Sequence, residues 1–123
     1  MNVLVLDDDD TILKLMTRIF TKLGCKSLCT NNIEEILREL NVYKTKFNLA
    51  FVDLTIPFVN LKNFLPMLKN ACKDIKIIII SGLQISEEYI DNEITYDLIL
   101  TKPFTFDDVK KLIEEYKIEI NQI

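Results

Sequence analysis

Apolar residues along this chain fall into two alternating patterns. Asn2 to Leu6, Phe47 to Val52 and Ile75 to Ile80 are short, nearly continuous apolar runs that end in abrupt polar stops. Such runs predict strands covered on both faces. Cys25 to Thr30 and Tyr96 to Thr101 are weaker stretches of the same kind. Between them the spacing changes to that of amphipathic helices. Ile12, Leu15, Met16, Ile19, Phe20 and Leu23 form one stripe, stopped at Gly24. Ile33, Ile36, Leu37 and Leu40 form another, opened by Asn31 and Asn32. A third helix is expected between Leu61 and Lys73; if Asn63 caps it Pro66 lies in the first turn, and a kink at Pro66 is the alternative. Ser86, with Glu87 and Glu88 behind it, predicts a short fourth helix. Thr105 to Asp108 has the form of a capping box, opening a last helix whose stripe is Val109, Leu112, Ile113, Tyr116 and Ile120.

Strands alternating with helices predict an α/β fold: a five-stranded parallel sheet, right-handed crossovers and helices on both faces. In open sheets of this kind ligands bind beyond the carboxyl ends of the strands. Those ends are chemically loaded here. The first strand runs into four consecutive carboxylates, Asp7 to Asp10, the third into Asp53, the fourth into Ser81 and the fifth into Lys102. Each pair of like charges about 4 Å apart costs roughly 4 kcal/mol at an effective dielectric of about 20, before water and salt screen it. A divalent cation, a lysine or a following helix N-terminus would offset that repulsion. Asp7 and Asp8 directly follow the strand, and Asp10 is the better placed of the remaining two to cap the first helix.

Composition narrows the chemistry. With 123 residues, 49% of them hydrophobic, the chain can build one compact core. A net charge of -4, with lysines scattered along helix faces, argues against nucleic acid as a partner. No apolar run approaches the roughly 20 residues that cross a bilayer, and no basic region precedes an apolar one, so neither a membrane association nor an export signal is expected. Cys25, Cys29 and Cys72 cannot all pair within one chain, which fits reduced thiols in the cytoplasm. The chain has no histidine. That removes the commonest general base and zinc ligand, and leaves carboxylates, hydroxyls and lysine.

The loaded strand ends, in this order and at these spacings, resemble the receiver domain of response regulators in two-component signalling. The matching signals are Asp7-Asp8, Asp53 followed four residues later by Pro57, Ser81-Gly82, and Lys102-Pro103-Phe104. The resemblance covers essentially residues 1–123 as a single receiver domain. It implies a flavodoxin-like, doubly wound fold with strand order 2-1-3-4-5, an order that comes with the family and not from the residues. It implies that Asp53 is the phosphate acceptor, and that Mg2+ is held by Asp7, Asp8, Asp53 and the Thr55 backbone carbonyl. Ser81 would hydrogen-bond the phosphoryl oxygens and Lys102 would pair with them. The phosphodonor would be a histidine kinase, a phosphotransfer protein or a small phosphodonor. A downstream protein would read the state on the last two helices and the fifth strand, and the final helix offers a route to a homodimer.

These roles make physical sense. Attack by a carboxylate on an anionic phosphoryl group needs charge neutralised as the loose transition state forms. Mg2+ favours a few oxygen ligands and keeps several waters. The resulting device is a self-phosphorylating and self-dephosphorylating switch, not a turnover enzyme. A Mg2+-dependent phosphohydrolase would need a second general acid and a substrate cap, and the sequence offers neither. Two departures from the family pattern point toward an alternative, a pseudo-receiver that binds partners regardless of phosphate, and the intact Asp7, Asp8, Asp53, Ser81 and Lys102 count against it. Receivers usually carry an aromatic residue three before the lysine, where this chain has Ile99. Tyr96 lies at an odd offset from it and would point to the opposite face. Where the family commonly has Asp-Gly after the acceptor loop, this chain has Asn60-Leu61.

Overall fold

The computed structural model describes residues 1–57, 59–82 and 94–121. In chain order these form β1 (Asn2–Leu6), α1 (Asp10–Lys22), β2 (Lys26–Thr30), α2 (Ile33–Asn41), β3 (Leu49–Asp53), α3 (Leu61–Ala71), β4 (Lys76–Ser81), β5 (Leu98–Thr101) and α4 (Phe106–Asn121). The short helix expected at Ser86 lies outside the described residues. The five strands form one parallel sheet in the order β2-β1-β3-β4-β5.

Strand alternation divides the core between two faces. Val3, Val5, Leu49, Phe51, Ile78 and Ile80 point to one side, where Met16, Ile19 and Phe20 of α1 and Val109, Ile113 and Tyr116 of α4 cover them. Leu4, Leu6, Ala50, Val52, Ile77 and Ile79 point to the other, against Ile36 and Leu40 of α2 and Phe64, Leu65 and Leu68 of α3. Every residue of β3 is buried, as expected of the central strand of a sheet covered on both faces.

Helix ends follow local chemistry. Asp9, not Asp10, caps α1: its side chain accepts the Thr11 amide at 2.9 Å, while Asp10 is already the first helical residue. Gly24 ends α1 with φ +72°, a conformation glycine adopts without steric cost, and the Cys25 amide then returns to Phe20 O at 2.9 Å. This last bond explains why β2 begins at Lys26 and not at Cys25. Asn32 caps α2 as expected.

The cap of α3 is Asn60, whose side chain accepts the Lys62 amide at 3.0 Å, and not Asn63. Pro66 therefore lies in the second turn, on the exposed side of the helix. There the proline costs the helix one backbone hydrogen bond and its ring projects away from the core. Asn60-Leu61 is thus the entry of α3, with Leu61 buried as its first residue.

At the far edge, β5 starts at Leu98 because Asp97 serves as its lead-in. The Asp97 amide donates to Ile77 O at 2.8 Å, and its carboxylate accepts the Ile77 amide at 2.8 Å. Tyr96 precedes the strand and packs against the cluster under α2 and α3. The capping box of α4 is present in both directions: the Thr105 amide donates to Asp108 Oδ2 at 2.8 Å, and the Asp108 amide donates to Thr105 Oγ1 at 3.2 Å. Replacing Thr105 with Ala is expected to lower stability by about 1 kcal/mol in urea unfolding. An unchanged midpoint would mean that the box adds nothing to α4.

Candidate functional site

Register alone brings the acids together. Leu6 of β1 pairs with Val52 of β3, so Asp7 and Asp53, the next residue on each strand, leave the sheet side by side. Asp53 pairs with Ile80, and Ser81 with Thr101, so Ser81 and Lys102 follow one residue later on β4 and β5. The Lys102 amide donates to Ser81 O at 2.7 Å, which ties the two strand ends together. The Lys102-Pro103 peptide bond is cis.

The side chains converge on one point. Asp7, Asp8 and Asp53 each offer a carboxylate oxygen, and the three oxygens lie within 4.8 Å of one another. Lys102 Nζ lies 3.0 Å from Asp7 Oδ2 and 3.7 Å from Asp53 Oδ2. Asp7, Asp53 and Ser81 are 0%, 3% and 1% exposed, whereas Asp8 faces solvent. The site is thus a buried floor with one open carboxylate at its mouth.

Each acid is oriented by its own chain. Asp7 Oδ1 accepts the Asp9 amide at 2.9 Å. Asp53 Oδ1 accepts both the Thr55 amide, at 3.1 Å, and the Thr55 hydroxyl, at 3.2 Å. Both are turns in which an acid accepts from the residue two positions on. They hold each Oδ1 and leave each Oδ2 facing Lys102. The part played by the Thr55 side chain is absent from the sequence reading, which used only the Thr55 carbonyl. The Asp-x-Thr spacing was the available signal.

Electrostatics mark Asp7 as the strained member. Burial pushes its carboxyl above the ordinary range, the Asp9 amide and Lys102 pull it back, and the Asp53 charge adds a smaller upward push. Repulsion among the acids is therefore the lesser cause, and loss of water the greater. Burial pulls Lys102 down, but its contact with Asp7 and the charges of Asp7, Asp53 and Asp9 outweigh that and raise it. The 3.0 Å contact is an ion pair whose direction falls outside hydrogen-bond geometry, so Asp7 Oδ2 is buried with no hydrogen bond. A buried anionic oxygen in that state costs free energy unless a cation meets it.

These residues fit a small, hard divalent cation. Three carboxylate oxygens this close together could be shared by one such ion, which keeps the rest of its shell as water. All of the donors are oxygens, and Asp7 contributes a buried oxygen, Oδ2, that has an ion pair with Lys102 but no hydrogen bond.

The geometry agrees with what the chain is similar to. The family model of the response regulator receiver domain matches residues 3–114. A CheY-like receiver domain protein from Methanospirillum hungatei superimposes with a TM-score of 0.78 at 23% identity, covering 99% of this chain and 98% of that one. A response regulator from Thermotoga maritima, solved in complex with Mg2+–BeF, gives 0.72 at 22% identity over 94% and 97%. The transcription factor SKN7 of Chaetomium thermophilum is 25% identical over 116 residues, which are 93% of this chain and 15% of that protein. The chain thus spans a small part of that relative's length. Matched from its first strand well into its last helix, the chain belongs to the response regulator receiver family of two-component systems.

Proposed function

We propose that this chain is a phosphorylation-controlled switch in which Asp53 is the acceptor. The observation that carries the reading is the meeting of Asp7, Asp8 and Asp53 oxygens within 4.8 Å, with Lys102 against the first and last of them. Asp7, Asp8, Asp53 and the Thr55 carbonyl would hold Mg2+. The ion, when bound, would neutralise charge on the phosphoryl oxygens and help to align the group for in-line attack. A further support is the fold-mate from Thermotoga maritima, which was solved with Mg2+–BeF.

The chain's own residues would do the rest. An Asp53 oxygen attacks phosphorus, the bond from phosphorus to the donor breaks, and the donor leaves with that electron pair. The Thr55 amide and hydroxyl fix the carboxylate's rotation, so that attack does not begin from a freely turning group. Lys102 then pairs with the phosphoryl oxygens, and Ser81 hydrogen-bonds them. Water attacking phosphorus releases phosphate and restores the carboxylate. The product stays on the protein until hydrolysis, which is the behaviour of a switch and not of a turnover enzyme.

The donor would be a phosphohistidine on a histidine kinase or phosphotransfer protein, or a small phosphodonor, met in the cytoplasm. That location is consistent with three free cysteines and with the finding that no helix among the described residues is long and apolar enough to cross a membrane. Output would pass through β5 and α4, where Leu98 is 46% and Phe106 37% exposed. Ile99, half-buried and paired in register with Ile79, takes the place of the usual aromatic. The switch would then work through packing of an aliphatic side chain and not through rotation of a ring.

Intact mass after incubation with acetyl phosphate tests the reading. One labile phosphoryl group per chain is expected with Mg2+, and none with chelator. Absence of the adduct, together with failure to form a beryllofluoride complex in the presence of Mg2+, would leave only phosphate-independent partner binding.

A further inference from the structure

Lysines that lie apart in the sequence gather at the edge of the sheet opposite the acids. Parallel strands put all their amino ends on that edge, together with the turns that enter them. Lys26 opens β2, Lys44 and Lys46 stand in the turn between α2 and β3, and Lys73 stands between α3 and β4. All four are exposed. Lys26 lines one cavity on this edge, Lys46 and Lys73 line a second, and Phe47 lies in the walls of both. The acids lining these cavities are Glu39 and Asp74, and Glu39 is already engaged by the Thr45 hydroxyl. The acids that open α1, α2 and α4 lie at the other end of the molecule. A chain of net charge -4 therefore has one basic edge.

The same edge carries a fixed apolar tip. Val42 and Tyr43, 67% and 64% exposed, are the most exposed large apolar side chains among the described residues. Their turn is held in place: both amides donate to Arg38 O, at 2.9 and 3.2 Å, and the Thr45 amide donates to Glu39 O at 2.9 Å. Lys44 completes the turn with φ +55°, a conformation disfavoured for lysine. We propose that this edge docks on an anionic lipid bilayer, with Val42 and Tyr43 entering the headgroup boundary and Lys26, Lys44, Lys46 and Lys73 drawn by the lipid charge. Tyrosine settles at such a boundary with its ring in the apolar layer and its hydroxyl in water, and each nearby lysine adds attraction without needing a fixed partner. The lysines come singly from separate elements, which suits a fluid charged surface better than a shaped protein pocket. An anionic surface attracts this edge and repels the opposite one. Docked in that way, the chain turns Asp7, Asp8 and Asp53 away from the bilayer, within reach of a phosphodonor. Peripheral docking needs no spanning segment, the feature whose absence argued against a membrane in the sequence.

Co-sedimentation of the whole chain with lipid vesicles at low salt tests this. Binding is expected to vesicles of mixed phosphatidylserine and phosphatidylcholine, is expected to weaken as salt is raised, and is expected to be lost on phosphatidylcholine alone. Lys44→Asn, which keeps a residue that tolerates the left-handed backbone, and Lys73→Gln are each expected to weaken binding about fivefold. Tyr43→Ser is expected to weaken it about tenfold. Lys14→Gln, at an exposed lysine near the start of α1, is expected to change it by less than about twofold. All of these side chains are exposed, so the fold is expected to survive each change. No binding to the mixed vesicles at low salt overturns the proposal, as does undiminished binding by both Lys44→Asn and Tyr43→Ser. Retention of the chain on immobilised polyglutamate but not on the vesicles overturns the lipid assignment and makes an acidic protein segment the occupant of this edge.

Discussion

Asp53→Asn is expected to abolish the phosphoryl adduct completely, with Mg2+ and acetyl phosphate present and the fold intact. An amide has no anionic oxygen to attack phosphorus, so the loss is chemical. The substitution is also structurally mild. The amide oxygen can still accept from the Thr55 amide and hydroxyl, which now lie 3.1 and 3.2 Å from Asp53 Oδ1. One negative charge leaves a crowded acidic cluster, so metal-free stability is expected to be unchanged or higher. The two readouts must be taken together: no adduct by intact mass, and a urea midpoint no lower than that of the native chain. An adduct that persisted in the Asn variant would move the acceptor to another residue, with the exposed carboxylate of Asp8 the first to examine.

Asp7→Asn is expected to stabilise the metal-free protein by about 1 kcal/mol near neutral pH, because the cost of burying the Asp7 charge outweighs its ion pair with Lys102. Asp7 is fully buried, and its Oδ2 has no hydrogen bond. The replacement removes the buried charge and with it the cost of burial that raises the Asp7 carboxyl. The pH dependence follows from the raised carboxyl of Asp7. Between the unfolded value near 3.8 and the higher folded value, the folded chain keeps a proton that the unfolded chain has released. Stability is therefore greatest at the acid end of that window, and falls as pH rises through the folded value. The Asn variant should lack this fall. Lys102, raised above 10.5, acts in the opposite region: its contribution is intact below 10.5 and is lost as pH climbs through the folded value. Urea unfolding in chelator across pH 4–8 checks the first effect, and a lower midpoint for Asp7→Asn at pH 7 would show that the ion pair with Lys102 outweighs the cost of burying Asp7. With Mg2+ saturating, the order should reverse, because the native chain gains binding free energy that the variant has lost.

Much of the fold was legible because apolar spacing reports which faces must be buried. The β1 boundaries, the Asn32 cap and the Thr105–Asp108 box follow from a few adjacent residues, and the structure agrees with them. Boundaries moved where a side chain or a helix end took over a strand's hydrogen bonds, as with Asp97 at β5 and Cys25 before β2. The cap of α1 fell on Asp9 where Asp10 was expected, and that of α3 on Asn60 where Asn63 was one of two readings, for a related reason. Asp9 and Asp10, like Asn60 and Asn63, are chemically equivalent in sequence, and only the direction of the incoming chain chooses between them.

The candidate site divides in the same way. Its residue types and their order were in the sequence, since each acid, serine or lysine follows the end of an apolar run. By itself the sequence determined an α/β chain with carboxylates, a hydroxyl and a lysine at its strand ends, because burial forces apolar runs inward and leaves charge where they stop. Tertiary structure alone decided that β1 and β3 are neighbours, that Asp7 and not Asp8 is the buried acid, and that Lys102 lies nearer Asp7 than Asp53. Those outcomes depend on sheet register and on water excluded by side chains distant in sequence, and neither is encoded in the spacing of the acids themselves.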